Sequence, residues 1–162
     1  LRINIDSFAP AMTPSEVWRS EDGAVFVEAV LVHHEPVEGA VAYRVTTPDG
    51  SVVISGDTRV CDEVFELARN SDVLVHEVCR TRALSANAKG TPFENIFDYH
   101  SDSVALGEFA ERYGIKHVVL THLIPSPKTE KDEQRFIDDV RTGGFTGNLT
   151  VGSDLLTVSI GE

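Results

Sequence analysis

The sequence is short of sulfur, short of positive charge and without any long apolar run, and each shortage narrows what the chain can be. Its two cysteines, Cys61 and Cys79, lie 18 positions apart in no CxxC arrangement, so neither a disulfide framework nor a thiolate zinc finger is indicated. They read as ordinary buried thiols, which fits a reducing cytoplasm. No apolar stretch approaches the roughly 20 residues of a membrane span. The opening LRINIDSFAP also lacks the basic-then-apolar order of a signal peptide. Lysine and arginine number 14 against 26 acidic residues, a formal net charge of -12, which repels polyphosphate at long range and makes nucleic acid an unlikely partner. There is no repeat, low-complexity tract or linker, so residues 1–162 are taken as one domain. The chain begins at Leu1, not methionine, which leaves a truncated, processed or partial polypeptide open.

What is present is a change of hydrophobic period along the chain. Residues 24–32 (AVFVEAVLV) and 41–47 (VAYRVTT) are β-rich, and the latter meets 51–56 (SVVISG) across Pro48-Asp49-Gly50, predicting a hairpin. Val60, Val64, Leu67 and Ala68 then recur at helical spacing, with Asn70 as a stop. Residues 73–75 form a buried strand running into His76-Glu77. A second helix is expected at 102–113 before Gly114, then a strand at 117–121, and a third helix at 128–142 opened by Thr129 and closed by Gly143-Gly144. Strands at 149–151 and 155–160 end the chain, and residues 80–99 read as an aperiodic loop over the site. This order predicts an α/β layered fold with parallel pairing in its later part.

Ligands of open α/β sheets bind beyond the carboxyl ends of the strands. His34, Asp57, His76, His100 and His122 all fall at or just past predicted strand ends and can converge on one edge, whereas His117 begins its strand and reads as structural. A strand-end carboxylate with several imidazoles supplies the N and O donors that zinc and related divalent ions accept. Asp57 alone could equally be a helix N-cap.

The string VHHEPVEGAVAYRV, then SVVISGDT, SDVLVHE, HSDS and VVLTHLIP resembles the C-terminal half of metallo-β-lactamase-fold hydrolases, in the branch of ribonuclease Z and arylsulfatase-like enzymes. The resemblance implies an αββα layered fold of which this chain is the C-terminal αβ half. It implies two zinc ions per complete site, with His34 on the first, Asp57 bridging and His122 on the second. His33 competes with His34 for the first position, and Pro36 favours His34. Glu77 would orient His100, which would donate a proton to the leaving group, although the motif here is HSDS and not HST. The family's HxHxDH string, which supplies further ligands to both metals, occurs nowhere in the 162 residues. Each metal would then have two protein ligands where zinc wants three or four.

The expected activity is therefore metal-dependent hydrolysis of an ester-like bond in a small molecule: sulfate, phosphodiester, carboxylic ester or lactam. The expected partners are the missing N-terminal half or a partner chain that carries it, and a second copy of this chain. One alternative is a tRNA 3′-processing endonuclease, against which stands the interval of only 22 residues between His34 and Asp57, too short for a tRNA-gripping arm. Another is a non-catalytic binding module with an incomplete site.

Overall fold

The chain builds one seven-stranded sheet in which spatial order equals chain order. The computed structural model describes residues 7–91 and 94–160. Residues 1–6 of the opening LRINIDSFAP, residues 92–93 of the expected site loop and residues 161–162 lie outside the described residues. Among the described residues no helix is long and apolar enough to cross a membrane.

Strand β1 (Ser15–Arg19) pairs antiparallel with β2 (Phe26–Leu31), which pairs with β3 (Val41–Thr47), and β3 turns back through Pro48-Asp49 into β4 (Gly50–Ile54). From there the pairing is parallel. Strand β4 lies beside β5 (Val73–Cys79), β5 beside β6 (His117–Ile124), and β6 beside β7 (Asn148–Val151). The crossovers carry helix α1 (Asp62–Leu67), helices α2 (Thr81–Ala88) and α3 (Ser103–Arg112) with a short 3-10 helix at Glu94–Asp98 between them, and α4 (Glu130–Thr142). Thr129 caps α4 as expected, its hydroxyl accepting from the Asp132 N–H.

The two faces of the sheet differ. On one, Val53, Leu74, Val78, Val118 and Leu120 are sealed under Val64, Phe65, Leu106, Phe136 and Val140 of the helices. On the other, Val52, Val73, Val75 and Val119 line an open cleft of about 620 Å³, roofed by Leu156, Val158 and Ile160 of the C-terminal segment. Ile54 on β4 is 45% exposed. The β-proteins' usual remedy, a second layer over that face, is absent from the described residues.

Three expectations need correction. Residues 80–99 are not a loop: TRALSANA is helical, rich in helix formers, but it has no side-chain cap and no acid in its first turn, the signals by which a helix start is read. Residues 155–160 alternate like a strand, yet they form none. Leu155, with φ 65°, redirects the chain after β7 so that the alternating side chains drop onto the open face without joining the ladder. Strand β5 runs on through His76 and Glu77 to Cys79, so His76 lies inside the sheet and not at its edge.

Candidate metal centre

Four loops converge where β4, β5 and β6 end. Strand β4 is followed by Ser55-Gly56-Asp57-Thr58. Gly56 sits at φ 62°, and a Cβ there would lie 2.9 Å from the Val41 carbonyl, so glycine is what lets the chain turn and present Asp57. The Thr58 hydroxyl bonds the backbone of His33, and the Arg59 N–H donates to the His33 carbonyl at 3.0 Å. The His33-His34 loop and the Asp57 loop are thus tied together.

His122 is placed by a register shift. Glu77 pairs with Thr121 but Val78 pairs with Leu123, leaving His122 as the extra residue of a β-bulge, at φ 44°. Bulges re-aim side chains beside active sites. The imidazole projects from the strand, its Nε2 3.5 Å from Asp57 Oδ2, with both side chains about half exposed. The earlier picture of a strand that stops at Thr121 is replaced by one that kinks there and continues.

His100 precedes α3, whose N-cap Asp102 accepts from the N–H groups of Val104 and Ala105. Its Nδ1 lies 2.9 Å from Glu77 Oε1 in a nearly dry setting, the two side chains being 7% and 1% exposed. The same oxygen accepts from the N–H of Thr58 at 3.0 Å and of Ser101 at 3.2 Å. The hydrogen bond to Glu77 raises the His100 pKa above its ordinary value against the opposing effect of burial. Glu77 therefore does more than hold one ring: it fixes the Asp57 loop and the His100 loop at once.

His34 Nδ1 donates to the Tyr99 carbonyl at 3.1 Å, which leaves Nε2 as the free nitrogen. The rings form a row, His34 to His100 at 5.2 Å and His100 to His122 at 5.5 Å between centroids. His33 faces the other way, its Nε2 3.4 Å from Glu63. The structure thus brings together His34, Asp57, His100 and His122 with Glu77 behind, and excludes two histidines from the edge. His76 is fully buried, stacked on Phe65 at 5.6 Å, and His117 bonds Thr150 at the opposite end of β6.

Among the described residues His34, Asp57 and His122 do not close into a group that one ion could bridge. The donor set is nitrogen and oxygen only, suited to zinc and similar ions. Beside His100, a second cleft of about 500 Å³ is walled by Leu84, Ile96, Phe97, Ile124 and Pro125, and no lysine or arginine is among its described lining residues. Sequence reasoning missed Thr58, Ser101 and the Tyr99 carbonyl as positioning groups. The only signal for Ser101 and Thr58 was their adjacency to motif residues.

No family model matches the chain. Ribonuclease Z of Mycobacterium tuberculosis is 31% identical over 148 residues, covering 91% of this chain and 52% of the relative. Among solved structures, the metallo-β-lactamase fold protein YhfI from Bacillus subtilis superposes with a TM-score of 0.61 at 21% identity, over 90% of this chain and 52% of that one. The short form of human tRNase Z gives 0.60 at 20% identity, over 92% and 46%. The chain spans about half the length of the curated relatives it matches. The chain has the metallo-β-lactamase fold, and in sequence it is similar to ribonuclease Z over about half of that relative's length.

Proposed function

We propose that this chain is the C-terminal αβ half of a metal-dependent hydrolase, and that a half carrying HxHxDH completes its metal centre and covers the open sheet face. The observation that carries the reading is the edge itself: His34, Asp57 and His122 present nitrogen and oxygen donors beside a histidine already bonded to a buried carboxylate. His34 would hold the first cation, Asp57 would bridge and His122 would hold the second. When bound, a pair of zinc ions supplies a hydroxide nucleophile at neutral pH and charge stabilisation for the oxygens of the scissile group.

The protein's own part in the chemistry is proton handling and positioning. Glu77 keeps Nδ1 of His100 protonated, so that Nε2 can deliver a proton to the departing oxygen. The apolar cleft against His100 is where the leaving group would sit, and its lining favours an aryl or alkyl alcohol over a charged polynucleotide. The favoured substrate is accordingly an ester-like bond of a small molecule, and of the phosphodiester, sulfate, carboxylic ester and lactam classes the cleft favours the three that release an alcohol.

A second reading has its own support. The matched curated relatives are named ribonuclease Z, and one matched structure is a tRNase Z, which favours tRNA 3′ processing and weighs against setting nucleic acid aside on charge alone. Two substrates decide between them: an aryl phosphodiester and a precursor tRNA, given to the full-length protein loaded with zinc. Efficient turnover of the aryl ester with none of the tRNA supports the small-molecule reading. The reverse supports the second. In either case His100→Ala should lower kcat by about 100-fold or more with bound zinc unchanged. Loss of zinc in that variant would make His100 a ligand and overturn the assignment.

A further inference from the structure

Behind the His33-His34 pair, away from the row of rings, a second set of donors meets. His33, Cys61 and Glu63 bring a ring nitrogen, a sulfur and a carboxylate oxygen within 4.8 Å of one another. None of the three takes part in the centre described above. Cys61 is a reduced, buried cysteine at the N-cap of α1, Glu63 stands in the first turn of that helix, and His33 reaches them from the loop after β2.

We infer that His33, Cys61 and Glu63 form a separate divalent-cation site, of the zinc type, with water in the fourth position. The donors are those zinc takes from proteins, and a thiolate among them disfavours magnesium, calcium and manganese. Geometry agrees. Bonds of about 2.0–2.3 Å in a tetrahedron place ligand atoms about 3.3–3.8 Å apart. His33 Nε2 and Glu63 Oε1 already stand at 3.4 Å, so only the sulfur has to close in, by up to about 1 Å.

The surroundings are those of a ligand set rather than a chance ion pair. Glu35 Oε1 lies 3.7 Å from the other nitrogen of His33, a carboxylate behind the imidazole as metal-bound histidines ordinarily have. Thr58 Oγ1 lies 3.8 Å from Cys61 Sγ and holds the His33 backbone as well. A thiolate and a carboxylate together balance a dication. An ion here would staple the loop after β2 to the segment after β4, and so fix the backbones that carry His34 and Asp57. The inference does not depend on the catalytic reading, because this triad would bind its ion whatever the sheet edge does.

Cobalt(II) is the probe, since thiolate bound to cobalt gives a near-ultraviolet charge-transfer band that nitrogen and oxygen ligands cannot give. The full-length protein that carries this chain, stripped of metal and titrated with Co²⁺, should show that band with one equivalent per chain. The band should vanish in Cys61→Ser, shift or weaken in Glu63→Gln, and persist in His34→Ala and in Cys79→Ser. Cobalt uptake without a thiolate band, or a band that survives Cys61→Ser, would overturn the inference. Should Cys61→Ser fail to fold, Glu63→Gln alone decides: an unchanged band at unchanged affinity contradicts the site. Failure of the hydrolase reading would leave the band in place.

Discussion

His122 shows how one backbone angle can commit a side chain to function. At φ 44° it occupies a region that costs most residues about 1–2 kcal/mol and that asparagine tolerates better than branched residues. His122→Asn should therefore melt close to the wild type while losing zinc from the second position, whereas His122→Val should lose the zinc and in addition about 1–2 kcal/mol of stability. Equal melting points for the two variants would show that the bulge carries no strain. His76 makes the opposite point, a histidine held inside the fold, its ring on Phe65 and its Nδ1 donating to the Glu77 carbonyl at 2.8 Å. Burial pushes its pKa below the ordinary 6.5, and its Nε2 has no hydrogen-bond partner among the described residues. The unfolded chain takes up that proton as pH falls through about 6.5 while the folded chain resists it, so the unfolded state gains in acid and stability declines below that pH. Melting temperatures at pH 7.5 and 5.5 should fall more in the wild type than in His76→Phe, which keeps a ring against Phe65. An equal fall in both would mean that His76 is protonated in the fold.

Helices α3 and α4 pack so closely that Gly107 has no room for a side chain. A Cβ there would lie 2.0 Å from the Val140 carbonyl, in rigid helix backbone. Gly107→Ala should force the helices apart and cost about 1–3 kcal/mol or more, read as a lower denaturation midpoint, in contrast to the small gain that alanine brings at a free helix position. That contact was invisible in the sequence, as was the strand Ser15–Arg19, whose polar residues and exposed Trp18 give an edge strand no hydrophobic alternation to read. The hairpin at Pro48-Asp49, the cap at Thr129 and the strand before Asp57 were legible because each is specified by its own neighbours. Part of the candidate site was legible for the same reason: Asp57, His100 and His122 flank segments whose period can be read in the sequence. The bulge at His122, the turning of His33 toward Glu63, and the Tyr99 carbonyl that holds His34 depend on strand register and on segments distant along the chain, which no local pattern encodes.

The sheet as a body is covered on one face and open on the other, and in the proposed reading the centre at its edge is half supplied as well. Among the described residues only the C-terminal segment lies over Val52, Val73, Val75 and Val119, and Ile54, Leu156 and Trp18 stand well exposed. Such a surface draws a covering layer, either the other half proposed above or another copy of the chain. We expect the 162-residue chain alone to associate in solution and to hold zinc weakly at the edge. The central claim is that metal, activity and coverage of this face arrive together with the other half. Its most direct test is the zinc content of the chain after equilibrium dialysis, in a Cys61→Ser background so that the edge alone is counted, with and without a polypeptide carrying HxHxDH. The account predicts well under one tightly held zinc for the chain by itself, and two per complex with hydrolysis restored when the partner is added. Two tightly bound zinc ions and efficient turnover in the isolated chain would contradict it.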